Sequence, residues 1–442
     1  MLIKKITNIL LCVSVSVLLT VATPATYAFS EVRNADVIVT DTVEARGLKS
    51  SDCPNIFATN ALLKTADGKV LFSRDADSEV KIASLTKIMT AIVALDNASL
   101  DTTVTVSANA VATGGSNAGL QNGDVMTLSE ALYALMVPSG NDAATAIAES
   151  VGQKLTGTTD TTAAYDAFVA KMNEKAAALG CTHTKFTNPH GLDEDEFTSD
   201  AHSSANDLML MIECAMKNEN FSKAVVNPTY ELKLTRDGQA TTTTLTSTDS
   251  LLETFDGACG IKTGTTDLAG YCFAGACKRN NQMVYSVVLG CSNDGTRFQD
   301  TETLFNWYFD NLVDYKLLNA DNNIAAYVSN TSWTDVTIPV TFSDVYATSK
   351  IFKFDGNVSQ SFEFYNVSGD VKAGDTLGKV SFLQDNRVIA TQDLIATQDC
   401  AGPDVWGTIS VAFTRFSNIF TGGQNEAESF VLNDTPLVIK FD

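Results

Sequence analysis

The order in which strand-like and helix-like runs alternate constrains this chain more than any other feature. Two apolar runs, 57–63 and 69–72, flank an Ala66-Asp67-Gly68 turn and read as a hairpin. A second strand pair comes far downstream, where 271–276 and 282–290 are apolar and β-branched and are joined by Lys278-Arg279-Asn280-Asn281. Between the pairs, helical spacing of apolar residues marks 85–95, 127–136, 142–151, 165–179 and 204–216. Thr127-Leu128-Ser129-Glu130 is a capping box, and Gly180 is a C-terminal glycine stop. A last helix is expected over 298–308. A hairpin, a block of helices, strands again and a closing helix fit one sheet made from both ends of the segment, with helices packed on it. From about residue 319 helical periodicity stops. Short strands near 336–340, 361–365, 376–382 and 388–394, separated by Gly-Asp and Asp-Asn turns, predict a small all-β domain.

The N-terminus reads as an export signal. Lys4 and Lys5 lead, an apolar run covers about 9–21, and Thr26-Tyr27-Ala28 offers a small-residue cleavage site. The expected organisation is therefore a signal peptide over 1–28, a first domain over 29–318, a β domain over 319–402, and an amphipathic helix with a tail over 403–442. Residues 29–55 read as a variable N-terminus of the mature chain. Cleavage after Ala28 removes two lysines and no acids from the 30 basic and 52 acidic residues, leaving 28 against 52, a net charge of −24. So acidic a body argues against nucleic acid or anionic lipid as the main partner. Eight cysteines outside the signal, Cys53 to Cys400, are irregularly spaced and read as free, mostly buried thiols. The three histidines, His183, His190 and His202, form no recognisable metal pattern, so neither a metal nor another cofactor is expected.

Chemistry enters at Ala83-Ser84-Leu85-Thr86-Lys87-Ile88-Met89-Thr90. Ser84 and Lys87, three apart on a helix, rise from neighbouring points of one surface. A serine hydroxyl needs a base within hydrogen-bond reach, and Lys87 serves only if its amine is neutral. Lowering a lysine pKa to near 7 costs about 4–5 kcal/mol, which burial beside other cations can supply. The pattern alone is not specific, because Ser78-Glu79-Val80-Lys81 also matches it. Ser-x-Asn occurs at Ser139/Asn141, at Ser107/Asn109 and at Ser204/Asn206, whereas Lys-Thr-Gly occurs once, at Lys262. Their order and context carry the weight: Ser-x-x-Lys opening a helix, Ser-Gly-Asn at a helix junction, Lys-Thr-Gly on a strand. The small-residue stretch 112–119 reads either as the rim of a cleft or as a plain surface loop.

On these motifs the chain resembles the serine-type D-alanyl-D-alanine carboxypeptidases, the low-molecular-mass penicillin-binding proteins. Pro138-Ser139-Gly140-Asn141-Asp142-Ala143-Ala144, Asn188-Pro189-His190-Gly191-Leu192-Asp193, the stretch 257–270 and Lys372-Ala373-Gly374-Asp375-Thr376-Leu377-Gly378 extend the resemblance over roughly 55–400. It implies an α+β domain of the β-lactamase/DD-peptidase kind followed by a C-terminal all-β domain. It also implies an exported enzyme at the outer face of the cytoplasmic membrane or in the cell wall. The substrate would be a peptidoglycan pentapeptide stem, with β-lactam antibiotics as covalent inhibitors. Ser84 would be the nucleophile, Lys87 its base, and Ser139 a proton relay to the departing D-alanine. Asn141, Lys262, Thr263, Gly264, Thr265 and Arg297 would bind substrate. The backbone N–H groups of Ser84 and Thr265 would form the oxyanion hole, and Thr263 and Arg297 would hold the terminal carboxylate. His190 would be structural.

Near the end, Trp406, Ile409, Phe413, Phe416 and Phe420 recur at helical spacing. Such a stripe suits a helix lying in a membrane interface through 404–421, and equally one packed on the β domain or a strand. Two rival functions are a class A β-lactamase and a non-catalytic peptidoglycan-binding homologue. The first lacks a convincing Glu-x-x-x-Asn stretch between Asn141 and Lys262, and intact Ser84, Lys87, Ser139 and Lys262 speak against the second.

Overall fold

The computed structural model describes residues 33–434. The stretch expected to be an export signal, with Cys12, and residues 435–442 of the tail lie outside this range. Seven antiparallel strands form the main sheet, in the order Asp41–Thr42, Val37–Ile38, Val70–Arg74, Asn60–Thr65, Gln282–Cys291, Gly270–Arg279, Ala258–Thr266. Alternation along the strands decides what each face buries. One row across three strands, Leu62, Val287 and Ala274, joins a core shared with the helix block. The next row, Ala61, Val288 and Phe273, joins a second core under the helix Asp294–Asp310. The sheet is thus the middle of three layers, made from both ends of the segment, and the fold is α+β.

At the centre of the helix block is Lys87–Asn97, which packs against Leu128–Met136, Asn141–Thr156, Thr161–Leu179 and Ala205–Met216. Ile88, Met89, Ile92 and Val93 are buried among them, and Lys87 is the helix's one buried charged side chain. The serine does not sit in the α-helix. Ala83–Thr86 is a turn of 3₁₀-helix that begins at Ala83 with φ +48°, and the α-helix starts at Lys87.

The described part of residues 29–55 joins the main sheet. Val37–Ile38 adds a strand to the sheet beside Val70–Arg74, because buried Arg74 needs a counterion that the N-terminal segment brings. Asp36 accepts from Arg74 Nε at 2.8 Å and from Nη2 at 2.6 Å, while Nη1 donates to Ile56 O and Ala58 O. The helical stretch also hides a second sheet, Thr103–Thr105, Val125–Thr127, Thr229–Arg236 and Gln239–Thr246, whose last two strands turn at Asp237-Gly238.

The C-terminal part is all β, ordered Val358–Phe364, Thr376–Gln384, Arg387–Ala396, Thr337–Phe342, Ala326–Ser329, Phe430–Val431, with a separate pair Leu312–Lys316 and Thr348–Phe352. Trp307 packs on Phe352 and Phe354, and Arg387 meets Asp67 at 2.6 Å, joining the two parts. The aromatic stripe is an α-helix, Val405–Thr421, which excludes the strand alternative. Its Arg415 donates to Thr331 O, in the turn after Ala326–Ser329, at 2.6 Å, and the stripe faces outward, with Trp406 77 % exposed. After the helix the chain returns: Phe430–Val431 pairs with Ala326–Tyr327, and buried Asn433 bonds Leu317 O and Gln360. All eight cysteines among the described residues are free, five of them buried.

Candidate active site

Cross-strand partners share a face of a sheet, so pairing places the Lys-Thr-Gly stretch. Lys262 lies opposite Ala274 and Gly264 opposite Cys272, both on the face toward the helix block. A side chain at Gly264 would lie 2.8 Å from Ile82 O and 3.2 Å from Ser84 N. From the other side Gly191, at φ +91°, presses so close that a Cβ would fall 2.0 Å from Ala83 O. Two glycines therefore pin the turn that carries Ser84.

The Ser84 hydroxyl lies 2.8 Å from Lys87 Nζ. Lys87 is 0 % exposed, and Nζ also donates to Asn141 Oδ1 and His190 O, each at 2.7 Å. Both of those oxygens are acceptors only, and a neutral amine has two N–H bonds and one lone pair. Spending the N–H bonds on Asn141 and His190 leaves the lone pair for the Ser84 proton. The Asn141 amide is oriented by its other end, where Nδ2 donates to Gly114 O at 2.8 Å. Burial first, then the nearby Lys262 charge, holds the Lys87 amine well below its ordinary pKa, and Asp142 opposes them.

Ser139 is buried at the junction of Leu128–Met136 and Asn141–Thr156, with φ +63°, a rare conformation for serine. The residues after it hold the 112–119 loop, which resolves that ambiguity: Asn141 N donates to Ser116 O at 2.7 Å, and Asp142 accepts from Ala118 N and Leu120 N. The loop lines the site.

Lys262 is 1 % exposed and donates to Thr263 O at 3.1 Å. Burial and then Arg297 push its pKa down to about 7, against the pull of Asp249. Thr263 Oγ1 meets Thr248 Oγ1 at 2.6 Å, and Thr248 N donates to Val137 O, tying the strand to the Ser139 turn. Arg297 is buried behind the strand. Its Nη1 donates to Gly264 O, Thr265 Oγ1 and Cys272 O, and Nη2 pairs with Asp294. The guanidinium thus reaches the open side of the strand through Thr265. The ring of His190 is held neutral, its pKa pushed down to about 3 by burial and then Lys87, while its carbonyl fixes that lysine.

Ser84, Lys87, Asn141 and the strand Lys262–Thr265 come together, with Ser139 on the adjoining turn and Arg297 one layer behind. Sequence reasoning missed Asp142 as the loop's anchor, Thr248 and Asp249 beside the strand, and Asn188, whose Oδ1 accepts from Gly191 N at 2.6 Å. Asp142 and Asn188 lay inside the quoted motifs; Thr248 and Asp249 carried no pattern. Among the described residues no group of three or more His, Cys, Asp or Glu could hold a metal.

The D-alanyl-D-alanine carboxypeptidase family profile matches residues 48–293. A D-alanyl-D-alanine carboxypeptidase of Bacillus subtilis, DacF, is 28% identical over 359 residues, covering 80% of this chain and 88% of that one. One from a Streptomyces species is 33% identical over 255 residues, covering 56% and 85%. Among solved structures, the Streptomyces K15 DD-transpeptidase superposes with a TM-score of 0.55 at 33% identity, covering 58% of this chain and 98% of that one.

Proposed function

The chain belongs to the D-alanyl-D-alanine carboxypeptidase family, a serine hydrolase family acting on peptidoglycan, and from that premise we propose an acyl-enzyme mechanism on Ser84. The substrate is a pentapeptide stem. Ser84 Oγ attacks the carbonyl of the penultimate D-alanine while its proton passes to the Lys87 lone pair. The oxyanion is held by the N–H groups of Ser84 and Thr265, each donor contributing about 3–4 kcal/mol. When the C–N bond breaks, the proton on Lys87 passes through Ser139 to the leaving amine, and D-alanine departs. Water then cleaves the ester, with Lys87 again taking a proton, and releases the shortened stem. Thr263 and Thr265 face the terminal carboxylate, in the field of Lys262 and of Arg297 behind Thr265. The same serine would be acylated by β-lactams.

One observation carries this reading: the Ser84 hydroxyl lies 2.8 Å from Lys87 Nζ, a fully buried amine whose pKa burial and then Lys262 hold well below its ordinary value. The test is labelling with fluorescent penicillin followed by D-alanine release from a pentapeptide. Both are expected, and Ser84→Ala abolishes both with an unchanged melting temperature. Labelling without release points to a binding homologue, and rapid penicillin turnover to a β-lactamase.

Reading residues 1–28 as an export signal, we place the enzyme outside the cytoplasmic membrane. No helix among the described residues is long and apolar enough to cross a membrane. The outward face of Val405–Thr421, with Trp406, Phe413, Phe416 and Phe420 exposed and Arg415 turned inward, suits peripheral contact with a lipid surface. Co-sedimentation with vesicles that is lost on Trp406→Ser with Phe413→Ser supports that contact; binding unchanged by the pair refutes it.

A further inference from the structure

The segment between the strand Gln239–Thr246 and the Lys262 strand carries a charge that the acylation scheme leaves unused. Asp249 is 5 % exposed. Its N–H donates to Ser247 Oγ at 3.1 Å and its Oδ1 accepts from Leu251 N at 3.0 Å, so the carboxylate is fixed in place. Leu251 sinks into the core under the helix Asp294–Asp310, the layer opposite the one that carries the Ser84 turn. The other oxygen, Oδ2, is buried and meets no hydrogen-bond donor among the described residues. Such an oxygen is costly unless a nearby cation offsets it.

Two buried cations share its surroundings. Lys262 Nζ donates to Thr263 O at 3.1 Å and to Thr263 Oγ1 at 3.4 Å, both neutral oxygens. Arg297 lies behind the same strand, and its Nε is also buried without a partner among the described residues. Thr248, the residue before Asp249, bolts the segment to the strand through Thr263 Oγ1 at 2.6 Å. The other charges that reach the cluster are Asp294, exposed and paired with Arg297, and, from the helix block, Lys87 with Asp142. Take Asp249 away and two like charges stay buried side by side. Both members of the pair titrate near neutrality. Burial pushes Asp249 up to about 6, against Leu251 N, Lys262 and Arg297, and burial and then Arg297 push Lys262 down to about 7.

Resting on the carboxypeptidase reading, we propose that Asp249 is a positioning residue for recognition of the substrate's terminal carboxylate. Set behind the Lys262 strand, it is the buried counter-charge that keeps the Lys262 ammonium charged and in place opposite that carboxylate. Lys262 lies between Asp249 and the substrate, so the ammonium acts at short range and the acid at longer range.

The test is Asp249→Asn, which keeps an oxygen for Leu251 N and removes the charge. That charge raises the Lys262 midpoint, so its loss lowers the midpoint, by about one unit. At pH 7 the charged fraction of Lys262 then falls from about one half to about one tenth, and KM for acetyl-L-alanyl-D-alanyl-D-alanine rises about fivefold. Near pH 5 Asp249 is protonated in the wild type as well, and the two enzymes should coincide. The C-terminal methyl ester should show no difference at either pH. A rise in KM of equal size at both pH values, or one shared by the ester, overturns the proposal. A second readout does not depend on turnover. The Cε resonance of Lys262, followed by NMR, should titrate about one unit lower in Asp249→Asn. By reciprocity, the Cγ resonance of Asp249 should titrate about one unit higher in Lys262→Gln. A midpoint unmoved in either folded variant overturns the pairing. Failure of the wild type to release D-alanine overturns the carboxypeptidase reading instead, and the resonance midpoints then decide the pairing alone.

Discussion

Replacing Asn141 with aspartate exchanges one NH₂ group for an oxygen and leaves the side chain's shape intact. Its Oδ1 still faces Lys87 Nζ at 2.7 Å, so the new carboxylate sits against a fully buried amine. An opposite charge this close raises a lysine pKa by about 1–3 units, and burial favours the upper end. Three units correspond to about 4 kcal/mol. Lys87 would then be protonated at neutral pH, and penicillin acylation would fall by about 10²–10³-fold. The second oxygen replaces the amide that donates to Gly114 O at 2.8 Å, so two acceptors oppose each other and the loop loosens. The two effects separate by pH. Loss of the loop persists throughout, whereas the neutral amine returns as pH rises through the new pKa. The acylation rate constant, followed with fluorescent penicillin from about pH 6 to about pH 10, should therefore rise along a profile displaced upward from that of the wild type. A lower rate with the wild-type midpoint, or a rate equal to the wild type at neutral pH, refutes the neutral-lysine argument.

Gly264→Ala places a methyl 2.8 Å from Ile82 O and 3.2 Å from Ser84 N; displacing one oxyanion donor should lower acylation by about 10²-fold with little change in KM. Arg297→Ala should weaken hydrolysis of free-carboxylate peptides more than of esters lacking that charge, and equal loss on both removes Arg297 from carboxylate recognition. In the wild type, Lys262 has its pKa lowered to about 7, so its charge is present below that value and lost above it. Affinity for carboxylate-ended peptides should therefore fall as pH rises through about 7, while that for esters should not, as KM measured across pH will tell. Asp36→Ala strands the buried Arg74 charge, a loss of about 3–5 kcal/mol. Calorimetry should register it as a melting temperature lower by on the order of 10 °C.

The nucleophile stretch, the Ser139 turn and the Lys262 strand were readable because each combines an uncommon residue set with a strong local pattern. The central sheet was readable because its inner strands are long apolar runs. Val37–Ile38 was not: a strand of two residues has no period, and its place depends on a buried arginine distant in sequence. The hairpin Thr229–Arg236 and Gln239–Thr246 escaped for a related reason. Its second strand is largely threonine, so no apolar alternation marks it despite the Asp-Gly turn. The orientation of Arg297 was hidden as well, since an arginine at a helix start looks alike whether it faces solvent or the underside of a strand.

The helix Val405–Thr421 is stitched in at both flanks, by the β domain before it and by Phe430–Val431 and Asn433 after it. A helix held by one flank is shed by a single proteolytic nick; this one would need two. A cut at Gly422 or Gly423 would leave it joined to the domain through residue 404, with Arg415 still gripping Thr331. Whatever surface its aromatic side rests on, detachment by proteolysis is a two-step event.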